Sequence, residues 1–385
     1  MLPEQSSKPP KRQIRIAVSI FFFLAGLCFS SWASRIPAIQ QKLSMNNAAL
    51  GGILFALPVG LMISLPASGW MVARFGSRRV MIVAAISYAL LLPTIGITAS
   101  AWQLASVLFF FGFAGNLLNI SMNTQAVGTE VIYGRSIMAS FHGLWSLAGF
   151  TGAAFGTLMV SLNISPFFHF CIICGAILTT VGVSYRYALP EDLNRDSSRP
   201  IFVKPDRFLL KLGMIAFCCM ISEGTMFDWS GVYFAKQVHA PKELTTLGYV
   251  AFMSTMAGGR FMGDWLASKL GKKRMIELSG LVIAAGLLIA VIFPYLVPAT
   301  IGFLFVGLGV SSVVPLVYGT AGKSKHMSPG MALAAVSTIG YFGFLFGPPL
   351  IGFIAQASSL RWSFSIIALL GFSTTLLALK TNMKD

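Results

Sequence analysis

Long apolar stretches restrict the fold of this chain more than any other feature of its sequence. A helix needs about 20 apolar residues to cross the hydrocarbon core of a bilayer. Runs of that length follow one another through the 385 residues. They lie near 14–36, 48–73, 80–99, 102–126, 136–160, 165–188, 208–234, 245–268, 275–296, 299–321, 329–356 and 361–380. The sequence therefore predicts an all-α membrane protein with twelve transmembrane helices.

The charges predict the orientation of these helices. Only 10% of the residues are charged, although the net charge is +16. With the N-terminus in the cytoplasm, only five of the 28 Lys and Arg residues fall in loops on the other side, and Arg260 falls within a predicted helix. The positive-inside rule then predicts a multi-pass protein of the bacterial inner membrane with both termini cytoplasmic. Basic residues scattered over loops on one face also argue against a nucleic-acid partner.

The chain divides into two similar halves. A polar interval, "LPEDLNRDSSRPIFVKPDR" (189–207), separates six predicted helices from six more. "SWASRIPAIQ" ends the first helix and "DWSGVYFAKQ" ends the seventh, with Trp32 and Trp229 at equivalent places. We predict two pseudo-symmetric six-helix bundles, 1–188 and 207–385, joined by a cytoplasmic linker over 189–206. Such parallel repeats are a known transporter plan with the substrate site between them.

The loop "GWMVARFGSRR" (69–79) resembles the signature loop of the major facilitator superfamily (MFS). Ala73 occupies the position of the usual Asp, which carries the inward-gate lock in that family. The resemblance implies the MFS fold, alternating access, and a cavity lined by predicted helices 1, 4, 7 and 10. It also implies a gating role for the loop. The matching residues are Gly69, Arg74, Gly76, Arg78 and Arg79.

Three other segments resemble a narrower group within that superfamily. "SWASRIP" (31–37), "EGTMFDW" (223–229) and "GYFGFLFGPPLIG" (340–352) are similar to the YbjJ-like bacterial subgroup, near the fucose–proton symporter family. In that pattern an Asp often stands where this chain has Asn119. The resemblance implies no particular substrate.

Two carboxylates, Glu223 and Asp228, interrupt the seventh apolar run. Ionised groups in hydrocarbon are costly and usually have a task, such as relaying protons. Glu223 lies about 24 Å from the start of its predicted helix, and Asp228 lies about 7.5 Å further along it. We expect proton coupling at these residues, with Glu223 preferred because it is deeper. The alternatives are a structural ion pair for either residue and an interfacial position for Asp228.

Several polar and aromatic residues are candidates for substrate binding. Arg35 is predicted to pair with Asp228 and to close the outer gate or receive an anionic or hydroxyl-bearing substrate; the alternative is an arginine that snorkels to water. Three asparagines form one predicted stripe that suits a sugar-like solute, unless they only join helices by hydrogen bonds. The stripe and the further candidates are Asn116, Asn119, Asn123, His142, Trp145 and Tyr341.

Gating is assigned to charged residues near the cytoplasmic side. Arg260 and Asp264, at positions i and i+4, are predicted to form a gate-stabilising pair. Arg74, Arg78 and Arg79 join them through the signature loop.

The expected function is proton-coupled secondary transport of a small polar solute, for which a sugar-like molecule is one candidate. Drug or metabolite efflux is the alternative, and a membrane sensor or passive channel is the alternative from a different class. The sequence has no Walker A, HExxH or GxSxG motif and no clustered metal ligands, so we expect no enzyme activity, no cofactor and no metal site. The expected partners are the solute, protons and the lipid bilayer, with the protein as a monomer.

Overall fold

The computed structural model describes residues 10–134, 137–192, 206–322, 327, 329–381 and 383, apart from the side chains of 264, 329 and 330. In the first half the helices are α1 (Lys11–Ala33), α2 (Ile36–Lys42), α3 (Asn47–Leu54), α4 (Ala56–Phe75), α5 (Ser77–Ile97), α6 (Ala101–Tyr133), α7 (Met138–Ser161) and α8 (Pro166–Ser184). In the second half they are α9 (Arg207–Lys236), α10 (Leu247–Leu270), α11 (Lys272–Ile292), α12 (Leu296–Ala321), α13 (Pro329–Ala357) and α14 (Leu360–Leu379).

Each predicted transmembrane run corresponds to one of these helices or to two in sequence. The first run is α1 followed by α2, with a break at Ser34 and Arg35, and the second is α3 followed by α4. In the described part of the chain, eleven helical segments are long and apolar enough to span a membrane. The twelfth, α10, has 24 residues and is more polar, because it contains Arg260 and Lys269.

One helix is longer than the apolar run predicted. α6 has 33 residues and continues beyond the predicted end at 126 to Tyr133. It stops where Gly134 takes a left-handed conformation, with φ at 66°. A glycine accepts this conformation without a steric penalty, which is why it commonly follows a helix C-terminus. The apolar pattern ended earlier because the last turns of α6 carry polar residues.

The helices form two bundles with the same internal packing. In the first, α1 packs against α7, α4 against α6, and α5 against α8. In the second, the equivalent pairs are α9 with α13, α10 with α12, and α11 with α14. The predicted pseudo-symmetric pair of six-helix bundles is therefore confirmed, and its core is made of helix faces that meet inside each bundle.

The two turns that follow the second span of each half show the same repeat in detail. Gly76 precedes α5 with φ at 83°, and Gly271 precedes α11 with φ at 79°. Trp70 lies under the Arg74 guanidinium in the first half. In the second half, the Lys269 ammonium is 4.3 Å from the centre of the Trp265 ring. Tryptophans with cationic neighbours are typical of a membrane–water interface, so these turns mark one membrane surface, here called the basic end.

The bundles meet most closely at the opposite end, here called the far end. There α3 packs against α13 and α2 packs against α9, whereas α4 barely touches α13. Gly51 and Gly352 allow backbone contact, because a Cβ on Gly352 would be 2.8 Å from the Gly51 Cα. α7 and α10 stay in contact further towards the basic end, from Gly149 with Met253 to Gly143 with Phe261. The bundles therefore separate towards the basic end, and the cleft between them opens there.

Candidate functional site

A buried ion pair lies where the two bundles face each other. Arg260 of α10 donates from Nη2 to Glu223 Oε1 of α9, at 3.1 Å. Its other terminal nitrogen, Nη1, donates to Ser146 Oγ of α7 at 2.7 Å. The guanidinium carbon also lies 5.7 Å from the centre of the Trp145 ring. One arginine thus connects an acid in its own bundle to a hydroxyl and an aromatic ring in the other bundle.

This pair is largely removed from solvent. The Glu223 side chain is 7% exposed and the Arg260 side chain 16% exposed. Arg260 Nε is buried and has no hydrogen-bond partner among the described residues. Removing one partner of a buried pair leaves an uncompensated charge, at a typical cost of about 3–5 kcal/mol. Losing the charge of either group would therefore be costly.

An aromatic cluster surrounds the ion pair. Phe227, one turn beyond Glu223, is at its centre. Its ring centroid is 5.2 Å from that of Phe29 in α1 and 6.3 Å from that of Trp145 in α7. In α13, the Phe344 ring is stacked on Phe227 with centroids 6.3 Å apart. Both bundles contribute to this cluster, in which Phe227 is buried and the three flanking rings are partly exposed beside one cation.

Four of the predicted polar side chains remain at least partly accessible: His142, Tyr341, Asn119 and Asn123. His142 interacts electrostatically with Arg260, and Tyr341 with Glu223. Asn123 Nδ2 donates to Asn119 Oδ1 at 3.0 Å and to its carbonyl at 2.8 Å. The structure thus brings His142, Tyr341 and the predicted Trp145 close to the ion pair. The asparagines form a separate accessible pair on α6.

Asn116, the third asparagine of the predicted stripe, has a different environment. It is 3% exposed, and its Nδ2 donates to Ser64 Oγ of α4 at 2.7 Å. This is the interhelical hydrogen bond that was the alternative interpretation. The stripe predicted from spacing therefore divides into a packing contact and an accessible pair.

Arg35 and Asp228 are not brought together, contrary to the expected outer-gate pair. Arg35 is 3% exposed, and its Nε donates to His169 Nδ1 at 3.0 Å. A terminal nitrogen of Arg35 also donates to the Ile164 carbonyl at 2.9 Å. Within the described part of the chain, half-buried Asp228 makes no hydrogen bond or ion pair. The break between α1 and α2 directs the Arg35 side chain towards its own bundle. The apolar pattern of the sequence did not reveal this break.

The far end is closed by other contacts. Lys236 Nζ donates to Asn47 Oδ1 at 2.9 Å, and Lys242 Nζ donates to Asn163 Oδ1 at 2.8 Å. The Thr157 and Thr246 hydroxyls are 2.6 Å apart. Each contact joins the two bundles. The far end is therefore held by neutral or singly charged hydrogen bonds rather than by the predicted ion pair.

Arg260 pairs with Glu223, and its expected pairing with Asp264 stays a prediction. The side chain of Asp264 lies outside the described part of the structure. Of the basic residues, Arg260 lies deepest inside a predicted helix, and that signal could have linked it to Glu223. Ser146 and Phe227 gave no such signal, since serines and phenylalanines are common in apolar helices.

The three arginines of the signature loop lie at the basic end. Arg74 is exposed, and Arg78 donates to the carbonyls of Tyr185 and Arg186 at 3.3 and 3.2 Å. Arg79 is exposed as well. A carboxylate missed by the sequence analysis, Asp192, accepts from the Ser77 backbone N–H at 2.8 Å. The linker thus supplies an acid beside the loop that has Ala73 at the usual Asp position.

Two bundles of six spans, with a polar site at their interface, define the class of membrane transporters built from a duplicated six-helix unit. The family model of the Major Facilitator Superfamily matches residues 18–328. The chain belongs to that superfamily, as its signature loop indicated.

Known proteins agree with this assignment. An uncharacterised MFS-type transporter of Yersinia pestis is 33% identical over 372 residues, which are 95% of each chain. A bacterial homologue of the human lysosomal transporter Spinster, solved in an inward-facing and occupied conformation, is 13% identical, with a TM-score of 0.78 over 98% of each chain. A D-xylose–proton symporter is 15% identical, with a TM-score of 0.78 over 96% of this chain and 98% of its own. At these identities, the solved structures show a shared fold.

Proposed function

We propose that this protein is a proton-coupled secondary transporter of a small polar solute, and that Glu223 carries the coupling proton. The observation behind this proposal is the Glu223–Arg260 pair, which continues to Ser146 of the other bundle. A proton on Glu223 would cancel one charge of the pair and weaken its hold on Arg260. The contact between α10 and α7 would change with it, so protonation would alter how the bundles meet.

The basic end is proposed to face the cytoplasm of a bacterial cell, with both termini on that side. The positive-inside rule supports this orientation, because most of the Lys and Arg residues that the structure describes lie at that end. The closed far end would then face outwards, and the cleft would open inwards. The D-xylose–proton symporter, which shares this fold, supports proton coupling by analogy. The halves 1–188 and 207–385 would act as the two moving units of a monomer.

Four accessible polar groups are proposed to line the cleft and to contact the solute. Asn119 and Asn123 offer amide donors and acceptors, and His142 and Tyr341 stand near the ion pair. Asp228 remains a second candidate for carrying a proton, since it is half-buried and unpaired among the described residues. The loop arginines Arg74, Arg78 and Arg79 are proposed to act at the inner gate.

Transport in proteoliposomes tests this proposal. A thermal-shift screen of the purified protein against sugars, nucleosides and organic acids first identifies a stabilising solute, since binding raises apparent stability. Uptake of that solute is then measured with and without an imposed pH gradient. Glu223→Gln keeps shape and hydrogen bonding but cannot ionise, so it should abolish gradient-driven accumulation.

Exchange of labelled for unlabelled solute should continue in Glu223→Gln, because exchange needs no net proton movement. Asp228→Asn tests the second candidate in the same helix, and it should still concentrate the solute if Glu223 alone carries the coupling proton. If Glu223→Gln still concentrates the solute in response to the gradient, Glu223 is not the coupling group.

A further inference from the structure

We infer that the solute is an organic anion with a flat apolar body, and that its carboxylate replaces Glu223 on Arg260. This inference rests on the proposed transport function and names the substrate class of the same site. Two carboxylates, one of the protein and one of the solute, would compete for a single guanidinium.

Arg260 is built to hold a carboxylate at this position. A guanidinium presents donors in a planar fork that matches the two oxygens of a carboxylate. Glu223 Oε1 accepts from one nitrogen, Ser146 accepts from another, and Nε is buried with no described partner. Arg260 therefore has an unused donor. The Ser146 bond and the Trp145 ring would keep its position when Glu223 leaves.

Arg260 is also the only cation that acts on Glu223 among the described residues. The other ionisable groups that interact electrostatically with Glu223 are one thiol and three phenols, which are neutral near neutral pH. They are Cys219, Tyr249, Tyr318 and Tyr341, from α9, α10, α12 and α13. His142 of α7 faces Arg260 from the other bundle. A proton on Glu223 would thus leave Arg260 as an unpaired cation, which attracts an anion.

The surroundings of Arg260 favour a flat apolar body behind that carboxylate. Phe227 is stacked parallel to Phe344 with an interplanar angle of 16°, and Trp145 approaches it edge-on. The partly exposed rings of Phe344 and Trp145 can receive an aromatic or conjugated solute. A sugar would need several hydrogen-bonding groups here, whereas the nearest ring faces offer none.

The charges balance in one cycle. Glu223 takes one proton from the water on one side of the membrane and releases Arg260, which binds the carboxylate of the solute. After the bundles move, the carboxylate leaves, Glu223 loses its proton on the other side, and the original ion pair forms again. One proton and one monoanion cross together, so the cycle moves no net charge.

Binding of radiolabelled benzoate to the purified full-length protein in lipid nanodiscs tests the competition. Glu223→Gln removes the internal competitor, so it should bind benzoate about tenfold or more tightly than the wild type, because a larger fraction of Arg260 is free. Wild-type affinity should rise as the pH is lowered over the range in which benzoate stays ionised. The Glu223→Gln protein should lose this pH dependence. Benzamide, the neutral analogue, should compete weakly with the label in both.

The matched control removes both charges. Arg260→Gln alone leaves a buried unpaired acid and can fail to fold, so the double variant Glu223→Gln/Arg260→Gln is used. It should lose benzoate binding while keeping the thermal unfolding profile of a folded protein. The inference is overturned if the double variant binds benzoate like Glu223→Gln, if benzamide competes as well as benzoate, or if benzoate binds to no variant.

The test separates this inference from the proposed function. If benzoate binds as expected but proteoliposomes show neither exchange nor gradient-driven uptake, the substrate class stands and the transport proposal fails. If benzoate does not bind but a pH gradient drives accumulation of a neutral solute from the screen, transport stands and the anion inference fails.

Discussion

Asp192 accepts a hydrogen bond from the backbone N–H of Ser77, with 2.8 Å between Oδ2 and N, and it also contacts the Ser77 hydroxyl. Ser77 begins α5, so the linker carboxylate satisfies a free N–H at the helix N-terminus, where negative charge is favourable. Gln125 of α6 extends this contact, because its Nε2 donates to Ser77 Oγ at 2.7 Å. The start of the linker is thereby attached to the first bundle.

Loss of this cap should lower the stability of the protein. We expect Asp192→Ala to reduce the free energy of unfolding by about 1 kcal/mol, the usual contribution of a helix cap. The midpoint of thermal unfolding in detergent or nanodiscs measures the effect. Glu191→Ala is the matched control, since Glu191 is the exposed neighbour. Equal midpoints for the two variants would mean that the Asp192 contact contributes nothing.

The close approach of Gly51 to α13 should control closure of the far end. A Cβ on Gly51 would be 2.7 Å from the Pro348 carbonyl, whereas a Cβ on Gly52 would meet nothing within 4 Å. We therefore expect Gly51→Val to hold the far end open and Gly52→Val to have little effect. A cysteine at Asn119, in a background without native cysteines, reports this opening through its reaction with an impermeant thiol reagent.

Labelling of that cysteine from the far end should increase several-fold in Gly51→Val. Unchanged labelling would show that α3 and α13 can separate no further, or that the valine is accommodated by a shift of the backbone. In either case the glycine contact would not control the gate.

His169 should stabilise the first bundle by accepting from Arg35. Because Arg35 is always protonated, the 3.0 Å contact requires an unprotonated His169 Nδ1. His169→Phe removes this acceptor from a buried guanidinium and should lower the free energy of unfolding by about 1–3 kcal/mol. The midpoint of thermal unfolding is again the measurement, with His239→Asn at an exposed position as control. A His169→Phe protein as stable as this control would contradict the expectation.

The proposed orientation predicts which loops are accessible from outside the cell. Single cysteines replace Glu191 at the basic end and Asn163 at the far end, both of which are exposed. In intact cells without native cysteines in the protein, the reagent should label position 163 and leave position 191 unlabelled. The reverse pattern would invert the topology.

The sequence by itself determined the number and order of the spans and the division into two related halves. Each span needs its backbone hydrogen bonds satisfied within a helix, so apolar length alone predicts the helices. The repeat from Trp32 to Trp229 and the turns at Gly76 and Gly271 are local features that can be seen along the chain. The depth of Glu223 could also be predicted, because the position of a residue along an α-helix follows from its distance in sequence from the helix start.

Only the tertiary structure decided which polar groups meet. Glu223 and Arg260 are 37 residues apart on different helices, and Ser146 is in the other bundle, so their contact depends on how the helices pack against one another. The break at Ser34 and Arg35 turns that arginine towards His169 instead of Asp228. The spacing of residues along a helix predicts the face on which a side chain lies. Which side chain it meets depends on how two helices are rotated about their axes, and packing over the whole interface sets that rotation.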